Sequence, residues 1–364
     1  MSTTTPSDAA PARPAADGIT AEGESWLSPR LRFVEQAAPQ PGSTVPVADG
    51  VRWARIPLPI DLNHINVWLL ESADGCIAVD TGMAADIGRD AWQEIAVAQF
   101  ARKPLRGVFI THIHPDHIGL AGWLQQVYGV PVWMSRRTHE QAEQLLGGKY
   151  LANPDEAERF LRTNGVEDVT TLKPMFSPGR LARLASGLPN VERFVADSQC
   201  LLMAPAWTAL ETNGHAEGHL CLNNADARLL ISGDQVLPTI SSNISFSWRN
   251  TDPNPLHSFL SSLQRLRGLP EDTLVLPSHG VPFRGLQQRI DDLVRHHEEQ
   301  LETVVGACAE PRSGAELLPL MFRRKLIGMH LFLALGEALA HLEYLVHAGR
   351  LARIDGTVIR YCAA

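Results

Sequence analysis

The sequence predicts an α/β protein: two similar β-rich layers, a helical insertion, and a small C-terminal module of helices and a hairpin. Two observations carry this. Short apolar runs of strand length recur from Val51 to Pro277, and several end in a glycine-flanked histidine or aspartate. After Gly280 the pattern changes to long amphipathic helical repeats, closing with two short β runs around Asp355-Gly356.

In chain order, NVWLLES and CIAVD flank Ala73-Asp74-Gly75, a hairpin signal, and a helix is expected over 86–102. GVFIT is a buried strand ending at Thr111, GLAGWLQQVYG a helix and VPVWMS a strand. THEQAEQLL, DEAERFL and GRLARLASGL have helical spacing and predict a helical insertion over 136–196. Strand patterns return at QCLLMA, WTALET, LCLNN, RLLIS and TLVLP. The domains expected are a tail at 1–25, a catalytic domain at 26–285, and a helical linker with a winged-helix-like module at 286–364. The Ala/Pro/Thr/Ser-rich tail reads as disordered and lacks the apolar centre of a signal peptide.

Composition narrows the function. The chain has 364 residues, 45% hydrophobic and 20% charged, enough for a large core. A net charge of -8 disfavours polyanions and anionic membranes as partners. Five scattered cysteines without a CxxC pair point to reduced thiols and a cytoplasmic setting. MHLFLALGEALAHLEYLV, the most apolar run, is interrupted by Glu337, His341 and Glu343 and is not expected to span a bilayer.

The chemistry concentrates in T-H-I-H-P-D-H, Thr111 to His117. His112 and His114, two apart past a strand end, can converge on one metal, and Asp116 and His117 can hold a second. Imidazole and carboxylate suit zinc and related first-row ions. His215 in NGHAEGH, Asp234 in ISGDQ and His279 in PSHG recur beside apolar strands and near glycine. A His-rich surface loop would explain the first cluster alone, not the three recurrences.

These motifs resemble the metallo-β-lactamase-fold hydrolases, the glyoxalase-II-like branch in particular. HxHxDH matches at His112, His114, Asp116 and His117, the later motifs at His215, Asp234 and His279, and VDTG at Val79 to Gly82. The resemblance runs from Val51 to Gly280 and implies a four-layer αββα sandwich. It implies two divalent metal ions, zinc by default with iron or manganese compatible. His112, His114 and His215 would hold the first, Asp116, His117 and His279 the second, and Asp234 both. Asp80 and His219 would support the ligands through hydrogen bonds. Asp116 would also orient the attacking water or pass a proton, making it the catalytic residue.

Other residues carry weaker expectations. Phe246 and Trp248 are candidates for a substrate wall, with core packing nearly as good a reading, and His64 is read as a structural contact. Arg136, Arg137, Lys149 and Tyr150 could meet an anionic substrate end. The C-terminal module is only slightly basic, so docking on the catalytic domain or a homodimer contact is preferred to nucleic acid. The expected activity is hydrolysis of a thioester or ester, lactones included, of a small acid by a metal-held hydroxide. An RNA-cleaving nuclease and a metal-binding regulator are the alternatives.

Overall fold

A computed structural model describes residues 31–146, 154–170, 172, 176 and 182–364. The expected tail at 1–25, and Lys149 and Tyr150, lie outside the described residues.

Sixteen strands and nine α-helices are described. The strands are β1 (Arg32–Phe33), β2 (Thr44–Ala48), β3 (Val51–Pro57), β4 (His64–Ser72), β5 (Gly75–Val79), β6 (Leu105–Phe109), β7 (Val132–Met134) and β8 (Val191–Phe194), followed by β9 (Cys200–Leu201), β10 (Ala204–Thr212), β11 (His219–Asn224), β12 (Leu229–Gly233), β13 (Leu274–Pro277), β14 (Phe283–Arg284), β15 (Leu351–Ile354) and β16 (Arg360–Ala363). The helices are α1 (Asp86–Ile95), α2 (Pro115–Ile118), α3 (Ala121–Tyr128), α4 (Arg136–Leu146), α5 (Pro154–Thr163), α6 (Pro255–Arg267), α7 (Leu286–Ala307), α8 (Gly314–Met321) and α9 (Met329–His347).

Two seven-stranded sheets form the body. The first runs β2-β3-β4-β5-β6-β7-β8 and the second β1-β14-β13-β12-β11-β10-β9. Side chains alternate between faces along a strand, and the cores follow that period. Trp68 and Leu70 of β4 and Ile77 and Val79 of β5 meet Leu220, Leu222, Ile231 and Leu276 between the sheets. Their neighbours Val67, Leu69 and Ala78 face Trp92 and Ile95 of α1 and Leu124 of α3. On the far side, Cys221, Leu230 and Val275 face Phe259 and Leu263 of α6, Ile290 of α7 and Leu335 of α9. The result is the four-layer αββα sandwich.

The C-terminal helices share that last core. Leu335, Leu339, Leu342 and Leu345 of α9 are fully or almost fully buried. α9 packs against α6, α7 and α8, and the β15–β16 hairpin pairs antiparallel beside it. The insertion touches the module too: Ile359 N donates to Thr163 O at 2.8 Å, and Ala315 N to Asn164 O at 2.9 Å.

Several expectations need correction. The helix expected over 86–102 is α up to Ile95, and 96–100 widen into a π turn. In GRLARLASGL the described helical part is one 3-10 turn at Ala182–Leu184. Residues 191–194, expected inside the helical insertion, are strand β8, because they complete the exposed edge of the first sheet beside β7. α9, at 19 residues and mean hydropathy 1.2, is long and apolar enough to cross a bilayer, contrary to the sequence reading. Its apolar surface packs into the core just described.

Candidate active site

The site lies at one end of the seam between the sheets, where main-chain and side-chain bonds cross from one to the other. Leu220 N, at the start of β11, donates to Thr111 O just past β6 at 2.9 Å. Asn66 N of β4 donates to Ser278 O at 2.6 Å, and its amide reaches Pro277 O at 2.9 Å and Gly280 O at 3.0 Å. Ends of both sheets thus deliver their loops to one place.

β6 ends at Phe109, and a few residues later the chain turns into the single turn α2. Pro115 opens that turn, where its missing N–H costs nothing and its fixed φ suits a helix start. His112 lies in the bend before that turn and His114 is its extended cap residue, whereas Asp116 and His117 lie on the helical turn itself.

The two groups that the resemblance implies are brought together. His112, His114, His215 and Asp234 offer donor atoms that all lie within 4.8 Å of one another, as do Asp116, His117 and His279. His112 Nε2 is 2.9 Å from His114 Nδ1 and 3.3 Å from His215 Nε2. In the other group, Asp116 Oδ2 is 3.3 Å from His279 Nε2 and 3.5 Å from His117 Nε2. Asp234 faces both: Oδ1 is 3.5 Å from His117 Nε2 and from His279 Nε2, and Oδ2 is 3.5 Å from His215 Nε2.

Outer partners orient the rings. His117 Nδ1 donates to Asp80 Oδ2 at 2.8 Å. Thr111 Oγ1 donates to the same carboxylate at 2.8 Å and lies 3.0 Å from His112 Nδ1, from which it can accept. His279 Nδ1 donates to His64 O at 2.9 Å, and His215 Nδ1 to Asn243 O at 2.8 Å. His219 is fully buried; its Nδ1 contacts Thr212 Oγ1 at 2.8 Å and its Nε2 accepts from Asp234 N at 3.2 Å. It therefore props the Asp234 turn with both ring nitrogens engaged. Neither Asp80 nor His219 belongs to the two donor groups.

The donor set fits divalent cations. His117 Nε2, His279 Nε2 and Asp234 Oδ1 are buried with no hydrogen-bond partner, a cost of ~1–3 kcal/mol each unless something binds them. Burial, then neighbouring imidazoles, hold His112 well below the usual histidine range. Burial, then His215, holds His114 at about 3. Neutral imidazole is the form that ligates metal. Burial also disfavours charge on His117, yet Asp234, Asp116 and Asp80 raise it well above its ordinary value, a pull that a cation would replace. Burial opposes ionisation of Asp116, but His117 and His279 bring it to about 2.

The remaining expected residues lie outside both groups. Phe246 and Trp248 are partly buried against the core under the outer helices. Trp248 sits in an aromatic cluster, 4.8 Å from Phe160 and 6.4 Å from Phe332, centroid to centroid. His64 is buried, with Nδ1 against Asn63 Oδ1, and its backbone carbonyl is what serves the site. Arg136 lies over the Phe194 ring, and Arg137 pairs with Glu217 at 2.6 Å. Thr111, Thr212 and Asn243 were missed as supports. Thr111 adjoins the HxHxDH motif and was within reach of sequence reasoning, but Asn243 carries no local signal.

A four-layer αββα sandwich with two clustered His/Asp groups at its seam defines a metal-dependent hydrolase. The Metallo-beta-lactamase superfamily profile matches residues 60–279, and the Metallo-beta-lactamase-like, C-terminal domain profile matches 301–364. The chain belongs to the metallo-β-lactamase superfamily. It is 38% identical to a beta-lactamase domain protein from Burkholderia ambifaria whose crystal structure superposes with TM-score 0.83, covering 92% of this chain and 98% of that one. The metallo-beta-lactamase family protein TTHA1429 from Thermus thermophilus matches at 28% identity and TM-score 0.73, covering 88% and 100%. Among curated relatives, the probable metallo-hydrolase YqjP of Bacillus subtilis is 23% identical over 80% of this chain and 90% of its own length. The human acyl-coenzyme A thioesterase MBLAC2 is 27% identical over 52% of this chain and 64% of its own length.

Proposed function

We propose that this hydrolase cleaves a thioester or ester, lactones included, of a small acid. The observation that carries the reading is Asp234 facing two donor groups, with His117 Nε2, His279 Nε2 and its own Oδ1 buried without hydrogen-bond partners. Divalent cations held there would acidify a water and polarise an acyl oxygen; zinc is the default, with iron or manganese compatible. His112, His114 and His215 on one side, and Asp116, His117 and His279 on the other, would be the ligands, with Asp234 shared. Asp116, facing His117 and His279, would accept a hydrogen bond from the attacking water and aim it, or pass a proton to the leaving group.

The thioester class draws on the similarity to the human acyl-coenzyme A thioesterase. Phe246 and Trp248, the latter packed against Phe160 and Phe332, would be the wall that meets the acyl part in this reading. Nucleic acid fits less well: the net charge is -8, and Arg350, Arg353 and Arg360 pair with Glu302, Asp355 and Glu316. In this reading the C-terminal module serves its own catalytic domain in preference to a second copy, since α9 spends its apolar surface within the chain. The five free thiols fit a cytoplasmic setting.

The test offers zinc-loaded protein acyl thioesters, lactones, phosphodiesters and short RNA. Thiol release that stops on chelation and returns with added metal supports the proposal. Salt-sensitive RNA cutting without thiol release overturns it in favour of a nuclease. Tight DNA binding with no turnover overturns it in favour of a regulator.

A further inference from the structure

We infer that helix α9 of the C-terminal module positions the metal-facing imidazole of His215, acting through Asn243. His215 Nδ1 lies 2.8 Å from the main-chain oxygen of Asn243. A carbonyl can only accept, so Nδ1 carries the proton and Nε2 is left bare toward His112 and Asp234.

Asn243 is in turn held by one turn of α9. Its amide nitrogen donates to Glu337 Oε2 at 3.2 Å and to Leu333 O at 3.4 Å. Two residues on, Ser245 Oγ donates to Asn243 Oδ1 at 2.5 Å, and Phe246 N donates to Gly336 O at 2.9 Å. The approach is close because position 336 has no side chain. A Cβ there would lie 2.7 Å from Ser245 Oγ and 2.9 Å from Ser245 Cβ. Upstream, α7 holds the same run: Arg289 donates to Leu237 O at 2.6 Å and Ile240 O at 2.7 Å, and Ser241 Oγ meets His297 Nε2 at 3.1 Å. The segment from Asp234 to Phe246 is thus clamped from the helical layer.

The support is one-sided. His112, His117 and His279 take their outer partners from Thr111, Asp80 and the His64 carbonyl, all in the first sheet or its loops. His215 alone among these four rests on a segment held by α9. A disturbance of α9 at 333–337 should therefore reach the group containing His215 before the group of Asp116, His117 and His279. Glu337 and Gly336 are positioning residues in this scheme.

Metal titration of the folded, metal-free full chain tests this, with cobalt absorption and competition against a chromophoric chelator resolving the two equivalents. In Gly336→Ala and Glu337→Ala, one equivalent should weaken about tenfold or more while the other stays within about twofold, the usual scale for a lost outer partner. Glu337→Gln, which keeps an acceptor oxygen, should recover most of the loss. Leu345→Ala, buried in α9 a full two turns away, should lower the melting temperature without separating the two affinities. The Glu337 pair carries the test should Gly336→Ala fail to fold. Equal weakening of both equivalents, unaltered affinities in both Glu337→Ala and Gly336→Ala, or the same selective loss in Leu345→Ala would overturn the inference.

Discussion

Asp80 Oδ2 accepts the Nδ1–H of His117 at 2.8 Å, with both side chains almost wholly buried. The same carboxylate accepts from Thr111 N and Thr111 Oγ1, so its lone pairs are spent on holding the HxHxDH segment in place. Asp80 itself sits at φ +63°, a conformation that aspartate and asparagine tolerate better than most residues. In Asp80→Asn the backbone should therefore stay, but an amide N–H would confront the His117 N–H. The ring would flip its tautomer or turn away. We expect divalent-metal affinity to fall about 10–100-fold with the circular dichroism spectrum unchanged. A chelator-competition titration indistinguishable from wild type would refute this role for Asp80.

Asp116→Asn keeps the volume and removes the charge that faces His279 and His117. Turnover of a thioester should drop by about 100-fold or more, in the range of a lost acid–base or water-aiming group. The melting temperature of the metal-loaded protein should move little. Normal kcat in a folded, metal-loaded variant would remove Asp116 from the reaction.

Gly233 is the residue that lets the Asp234 turn close over His219. Its φ is +53°, and a Cβ would sit 2.3 Å from His219 Nε2. Gly233→Ala combines a left-handed backbone with a clash against a fully buried ring, and should cost about 1–3 kcal/mol. Urea denaturation measures this, and removing the ring in a His219→Ala background should recover part of it. Equal costs in both backgrounds would show that the ring is not the obstacle.

Acid should destabilise the metal-free protein beginning near pH 6.5. Burial, then Arg55 and His279, brings His64 to about 3, and burial brings His341 to about 4. Both are neutral in the fold, whereas the unfolded chain takes up their protons near pH 6.5. Their contribution to stability is therefore complete above that value and declines as pH falls toward 4 and 3, by up to about 1.4 kcal/mol per pH unit for each proton. Urea midpoints from pH 7 to 4 should fall steadily, and less steeply in His341→Gln, which cannot take up that proton. A flat profile would mean that the histidines find water or partners in the fold.

Much of the fold was legible because its signals are local. The short β-rich runs from Val51 to Asp80 were readable as strands, although the structure decided that Trp53 lies between the sheets and Ala54 and Ile56 under the helices. HxHxDH was readable because three imidazoles and a carboxylate crowd into six residues just past an apolar strand. Strand β8 was hidden inside a helical-looking stretch: VERF is half charged and only four residues long, and pairing with the β7 edge makes it a strand. Likewise AVAQF continues a helical pattern, and nothing in the sequence marks its π turn.

By itself the sequence determined that His112 and His114 could share one metal and Asp116 and His117 another, because imidazole and carboxylate chemistry and strand-end spacing are properties of short segments; the places of His215, His279 and Asp234 came from the family resemblance of the later motifs. Only the tertiary structure decided that the His64 carbonyl aims His279 and that α9 supports the loop behind His215. Those contacts join residues 28 to 215 positions apart, and no local propensity encodes a distance closed by packing two sheets and a helical layer together.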